Sequence, residues 1–405
     1  MRAPAGIRAG LALLAVGALA VAGCRAPGGP ASVQPGVAAF PGTYLSAVTC
    51  PAARWCIAGG AMPGGGTTKI QLPVVVVEAD GRWARPLVVR PPKRQDAAIS
   101  AIACAASAAC VAVGSYGPPM SADSFTAARV SGHWQRAVPV PLPPDAATSP
   151  TSMLTAVACP ATGSCAAAGR YLDRAGRQQA FVAAESGAAW EPEEIAAPPA
   201  AAPNPYASIT SISCAKPGTC VAVGQYVGAG NVYWPMAASE SNGRWARAVT
   251  IAYPAGTVIR AFEAYDGLAS VSCPASGLCV AIGSYDNGRN ARAGMAVTWA
   301  AGRWSRPVPV TTAFVRLSAV SCSSRRSCEV VGYEVRGRGS PVAIICRGTG
   351  KRWASPVLVP PPPDAVTGDR RYSVLGAVSC GSGQCTATGA YLARGDHFRA
   401  MTERS

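Results

Sequence analysis

Cysteine is the residue type with the most chemical potential in this chain, 16 Cys against only 2 His. Fourteen cysteines fall into seven close pairs: Cys50/Cys56, Cys104/Cys110, Cys159/Cys165, Cys214/Cys220, Cys273/Cys279, Cys322/Cys328 and Cys380/Cys385. Such pairs can hold zinc, cycle as redox couples or close disulfides. Zinc ribbons use CxxC knuckles, and none of these pairs has that spacing. With 2 His a multi-His metal centre is not expected either, so the pairs read as seven disulfides, with no metal and no cofactor. Cys346 is left over, within the apolar run Pro341 to Cys346, and reads as a buried, inert thiol.

The densest polar constellation is Arg260-Ala-Phe-Glu263-Ala-Tyr265-Asp266, with Asp286, Asn287, Arg289 and Arg292 in a neighbouring loop. Paired carboxylates beside Arg and Tyr have the makings of a glycosidase acid and base. The plainer reading is a solvated loop with local ion pairs. No GxSxG elbow, HExxH, P-loop or dinucleotide fingerprint occurs. His133 lies in a Gly-x-Trp turn and His397 near the C-terminus, so neither reads as a general base. The tetrapeptide Pro-Pro-Asp-Ala occurs twice, at 143–146 and 362–365, as repeated turn chemistry.

The N-terminus supplies an address. Arg2 and Arg8 precede an unbroken small-apolar stretch from Ala9 to Ala22, too short for a comfortable membrane span and right for a signal-peptide core. It ends in Val21-Ala22-Gly23-Cys24, which resembles a bacterial lipobox. The expectation is a lipoprotein signal peptide at 1–23, lipid on Cys24 and a Pro/Gly/Ala-rich tether at 24–36. Residues 37–405 then form the folded domain, exported and anchored to the outer face of the bacterial membrane or to the cell envelope, a compartment where disulfides persist.

The cysteine pairs also set the organisation. First cysteines of successive pairs are 54, 55, 55, 59, 49 and 58 residues apart. Each unit opens with a run such as Leu45-Ser46-Ala47-Val48-Thr49-Cys50, and its second cysteine is followed by one such as Val111-Ala112-Val113-Gly114-Ser115-Tyr116. A third run leads to a Gly-x-Trp or Gly-x-x-Trp turn at Trp83, Trp134, Trp190, Trp245, Trp304 and Trp353, and a Pro-rich apolar stretch completes the unit. Short β-branched runs bounded by Gly and Pro are strands, and a period near 50 made of them signifies a propeller. The fold class is therefore all-β: a seven-bladed β-propeller with one disulfide inside each blade. Small residues at Ala47, Ala101, Ala156, Ser211, Ser270, Ala319 and Ala377 suit innermost strands crowded about an axis, and the recurrent Trp suits packing between blades. The seventh unit lacks a fourth strand, which Val37 to Pro41 is expected to supply.

The turns Glu185-Ser-Gly-Ala-Ala-Trp190 and Glu78-Ala-Asp-Gly-Arg-Trp83 resemble the Asp-box of BNR and sialidase-type propellers. The whole pattern, roughly residues 37 to 405, also resembles repeat lipoproteins of high-GC bacteria. The resemblance implies the propeller fold. It implies no catalytic set, because a sialidase Arg cluster, Tyr/Glu pair and acid cannot be assigned here residue by residue.

Without Arg2 and Arg8 the chain keeps 34 basic residues against 20 acidic, and 32 of all 36 basic residues are Arg. Such a balance suits anionic partners. Nucleic acid is not expected, since no basic-aromatic RNA motif is present. The expectation is a monomeric, non-catalytic, lipid-anchored scaffold for a glycan, an anionic wall polymer or a protein. A glycoside hydrolase or lyase with its site at the axis is the alternative. Strand direction puts the Cys hairpins and Gly-x-Trp turns on one face. The opposite face receives the inter-blade links, the 260–266 loop and the strand ends at Tyr116, Tyr171, Tyr226, Tyr285 and Tyr391. Arg260, Glu263, Tyr265, Asp266 and these five tyrosines are the expected binding residues.

Overall fold

Short apolar runs punctuated by Gly and Pro can only satisfy their backbone by pairing, and here they pair with their sequence neighbours. The computed structural model describes residues 42–64, 70–118, 121–148, 151–187, 189–261, 267–288, 292–311, 314–336, 339–381 and 383–405. The signal peptide, Cys24, the tether and the 37–41 segment lie outside the described residues. Seven antiparallel sheets follow one another along the chain, each a meander from an inner to an outer strand. The fourth is typical, with strands Ser208–Lys216, Thr219–Val227 and Tyr233–Ser241, then an outer edge split into Arg244–Trp245 and Val249–Thr250. The last sheet has three strands among the described residues, Ser373–Gly381, Gln384–Ala393 and His397–Arg404. The protein is an all-β, seven-bladed propeller.

All seven expected disulfides are formed, with Cα–Cα distances of 3.9 to 4.1 Å. In four blades the paired cysteines are direct cross-strand partners, as in Cys104 opposite Cys110, Cys214 opposite Cys220 and Cys322 opposite Cys328. Each staple closes a loop of about seven residues, worth about 2 kcal/mol in the chain-entropy account.

The pairing stands, and burial adds that the sulfurs are structural. The second cysteine of six pairs, Cys56, Cys110, Cys165, Cys220, Cys279 and Cys328, is only 3 to 6% exposed. Each opens a second strand, whose two faces are covered by the flanking blades, so its sulfur belongs to the core and to no functional surface. All six pack into the hydrophobic clusters that join adjacent blades, as Cys56 does with Ala400 of the last blade, Cys110 with residues of the first and Cys328 in the seam of the fifth and sixth. Their partners Cys50, Cys104, Cys159, Cys214 and Cys273 are half-buried, and in the last blade both Cys380 and Cys385 are. The Cys346 side chain is buried and takes no part in these bonds; its thiol donates to the Ala354 carbonyl.

Every inner strand slips register at the residue before the small position, for example between Leu45 and Ala47 and between Ile209 and Ser211. The bulge swings an inner-strand carbonyl over the facing second strand. A Cβ at Gly60, Gly114, Gly169, Gly224, Gly283, Gly332 or Gly389 would lie 1.9 to 2.0 Å from that oxygen. The glycine in every second strand is thus a close-approach requirement.

The six recurrent tryptophans pack in the seams between blades. Trp245 joins a cluster of third- and fourth-blade residues, Trp304 one from the fourth and fifth, and Trp83 one from the first and seventh. Trp134, Trp190 and Trp353 do the same elsewhere. Four of their turns are two-residue loops with both φ positive, Asp80-Gly81, Ser131-Gly132, Asn242-Gly243 and Ala301-Gly302, the pattern of a type I′ hairpin.

The two seams flanking the last blade are crossed by charged side chains. Glu329 accepts from Arg347 Nε at 3.0 Å and from Ser405 Oγ at 2.6 Å, and on the far side Arg404 pairs with Glu78. The Gly42 N–H reaches the Phe398 carbonyl at 3.5 Å, so the first described residue already runs beside the last strand.

Candidate axial binding site

The bulged residues of the inner strands, Ser46, Ser100, Thr155, Thr210, Ala269, Ser318 and Gly376, ring the axis near the face that receives the links. Three of their hydroxyls tie blades together. Ser46 Oγ donates to the Ile99 carbonyl at 2.7 Å, Thr155 Oγ1 to Ile209 at 2.5 Å and Thr210 Oγ1 to Leu268 at 2.7 Å. Each acceptor belongs to the following blade, so the rim is rigid before any ligand arrives.

Between the fourth and seventh blades this rim opens into a cavity of about 430 Å³, lined by Thr210, Gln225, Ser284, Arg316, Ser318 and Gly376 among others. Arg316 is the single charged side chain among the described residues that line it, and it stands exposed at the start of its strand. An amide, three hydroxyls and a guanidinium bind hydroxyl-rich or anionic groups; they hold no acid and base for bond cleavage.

Gly267, also in the lining, follows the expected binding loop directly. Glu263, Tyr265 and Asp266 of that loop, and Arg289 of its neighbour, lie outside the described residues. Arg260 is described and sits where the loop meets the end of the fifth blade's second strand. Its Nη1 is 2.8 Å from Asp286 Oδ2, and Asp286, its side chain 7% exposed, also accepts the Gly288 N–H at 2.8 Å. The structure therefore brings together Arg260 and Asp286, two members of the polar constellation in the sequence.

The five tyrosines correct the expected aromatic platform. Tyr116, Tyr171, Tyr226, Tyr285 and Tyr391 are 0 to 5% exposed, so no ring face is offered to a ligand. In a propeller both faces of a second strand are covered by neighbouring blades, so even its terminal side chain is interior. The Tyr171 hydroxyl bonds Asp145 Oδ1 at 2.8 Å and Glu194 Oε2 at 3.0 Å. The Tyr391 hydroxyl bonds Asp364 Oδ1 at 2.8 Å. Asp145 and Asp364 are the acids of the two Pro-Pro-Asp-Ala turns, which pin the incoming link onto the tyrosine below. Burial and these acids raise the Tyr391 hydroxyl to about 12 and push Tyr171 higher still, so both remain donors. Tyr226 meets Thr250 Oγ1 at 2.6 Å, because the corresponding turn reads Pro198-Pro199-Ala200-Ala201 and has no acid.

Sequence reasoning missed Gln225, Ser284 and Arg316. Each comes from a different blade; Gln225 and Ser284 are the variable middle residues of the recurring Gly-x-Tyr run and Arg316 belongs to no repeated pattern, so only the recurring hydroxyl before the small inner-strand residue pointed toward the rim.

The chain matches no protein-family model and no curated protein. Among solved structures it is similar to an ulvan lyase, described as a polysaccharide lyase bound to -[GlcA(1-4)Rha3S]-. The likeness has 8% identity and a TM-score of 0.53, over 91% of this chain and 95% of that one. What they share is the fold. A Trypanosoma rangeli sialidase aligns over 90% of this chain and 55% of its own, with 10% identity and a TM-score of 0.46. A sialidase described as Hadza microbial aligns over 84% and 74%, with 12% identity and a TM-score of 0.44.

Proposed function

We propose that this protein is an exported, lipid-anchored β-propeller that binds an acidic glycan or wall polymer at its axial cavity without cleaving it. The observation that carries the reading is the cavity itself, a rigid polar bowl whose single described charge is the guanidinium of Arg316. Arginine meets carboxylate and sulfate groups in a planar, bidentate geometry. Seven disulfides support export, Cys24 is the lipid-bearing residue, and the link face with Arg260 is the side from which a polymer enters. The large excess of arginine adds long-range attraction to the same class of partner.

A glycan and envelope-polymer array with a soluble fragment spanning residues 36–405 tests this. Uronate- or sulfate-bearing polymers should bind, and Arg316→Ala should weaken them about tenfold, the worth of one charge-assisted contact. Preference for neutral glycans defeats the ligand assignment, and shortening of the bound polymer defeats the non-catalytic one.

A further inference from the structure

A second feature of the molecule lies away from the axis, in the seam between the fourth and fifth blades. In the first blade Glu78 is the cross-strand partner of the hairpin's second cysteine, and in the second blade Arg129 is. In the fifth blade Trp299 holds that place, opposite Cys279. It meets the recurrent Trp304 with ring centroids 5.4 Å apart at 53°, and both rings are only partly buried. Two cavities adjoin at Trp299. One, of about 320 Å³, is lined by Trp299, Trp304, Arg247, Arg303, Thr250 and Ser239. The other, of about 230 Å³, shares Trp299, Ser239 and Gly302 and adds Thr219, Ser241 and Glu240.

The seam thus combines two indoles, a row of small hydroxyls and charges sorted by sign. Both arginines line the larger cavity and the single carboxylate lines the smaller. Small neighbours, Ala237, Ala246 and Gly302, leave the floor open; a Cβ on Gly302 would meet nothing within 4 Å. An indole packs against the apolar C–H face of a pyranose ring, while Ser and Thr hydroxyls exchange hydrogen bonds with its hydroxyls. Arg247 and Arg303 then complement a carboxylate on that ring, and Glu240 repels one from the other end, which fixes the orientation.

We infer that the seam between the fourth and fifth blades is a binding subsite for a uronic acid residue of a glycan, with Trp299 and Trp304 under the sugar ring and Arg247 and Arg303 on its carboxylate. The inference rests on the acidic-glycan reading for its ligand class but on different residues for its site. A polymer that occupies both would be held at two points of one rigid ring, and two linked contacts strengthen binding beyond either alone.

The test is titration of the full-length protein in detergent micelles with tetragalacturonate, followed by tryptophan fluorescence, with maltotetraose as the neutral counterpart. Tetragalacturonate should give a saturable change. Trp299→Ala should weaken it about tenfold, Trp299→Phe should keep most of it, and Arg247→Ala should weaken it for the acidic sugar. Equal binding of maltotetraose, or affinity unaltered in Trp299→Ala, overturns the subsite. If Arg316→Ala abolishes the signal and Trp299→Ala does not, the seam inference fails while the axial reading stands. Loss in Trp299→Ala with no effect of Arg316→Ala upholds the subsite and removes the axial reading. Melting curves confirm that each variant is folded.

Discussion

Ser379 Oγ accepts the Cys50 N–H at 3.0 Å, joining the last blade to the first across 329 residues of chain. The same bond recurs from Ser213 to Cys273, Ser272 to Cys322 and Ser321 to Cys380, at 2.9 to 3.0 Å. In the first three blades the position is Thr49, Ala103 and Ala158. Inner strands of neighbouring blades do not share a sheet, so these side-chain bonds take the place that ladder bonds hold within a blade.

Removing one such bond costs about 1 kcal/mol, more if the N–H stays buried. Ser379→Ala should therefore lower Tm by about 2–4 °C. Ala158→Ser, which places the same hydroxyl beside the next blade, should raise it by a similar amount. Calorimetry at one scan rate, with Ser46→Ala as a second rim variant, checks both signs.

Glu403 faces Glu329 across the seam of the sixth and seventh blades, with Arg347 and Ser405 beside them. Burial, and then the Glu329 charge, raise the Glu403 carboxyl from its ordinary 4.5 to about 7. A raised carboxyl disfavours the folded state once it ionises, so stability should fall as pH climbs from about 4.5 to about 7 and level off above. Glu403→Gln should flatten that fall, giving a higher Tm than the parent at pH 8 and little difference at pH 4.5. An unchanged profile in the variant would count against the buried pair.

The turn before the fourth blade lacks the acid that the turns at Asp145 and Asp364 place on their tyrosines. Ala200→Asp should supply it to Tyr226 and add roughly 0.5–1.5 kcal/mol, the worth of one hydrogen bond. Asp145→Ala and Asp364→Ala should cost as much or more. Urea titration of the three variants against the parent measures each difference.

With seven disulfides closed, a form of the protein beginning beyond Cys24 should show about one thiol under denaturing, non-reducing conditions, and it should be Cys346. Under native conditions that thiol should react slowly, since it is buried beneath the sixth blade's outer edge. Peptide mapping after alkylation distinguishes the two states.

The fold was legible because every blade repeats the same local demands. A Cys hairpin, a glycine under a bulged carbonyl and a tryptophan after a tight turn each leave a residue at a fixed spacing. The axial site was far less so. Thr210, Gln225, Ser284 and Arg316 are ordinary strand residues, and only closure of the ring brings them to one bowl. The tyrosines were misread for a related reason. A strand end suggests exposure when a single sheet is imagined, and Tyr116 or Tyr171 becomes interior only because the next blade leans over it. Burial of Cys56, Cys110, Cys165 and Cys328 has the same origin, since spacing shows which sulfurs pair and not which of them the adjoining blade covers. Arg260 was placed near Asp286 by loop proximity alone, and their ion pair at 2.8 Å follows that proximity.

Every disulfide here links cysteines only five or six residues apart. At so short a span each thiol meets its partner at far higher effective concentration than any rival. A chain emerging with its N-terminus first can therefore oxidise each hairpin before the next has appeared. The many wrong connectivities open to fourteen cysteines are avoided by order of arrival, with little demand for reshuffling. Assembly of the ring then becomes a matter of docking blades that are already covalently complete.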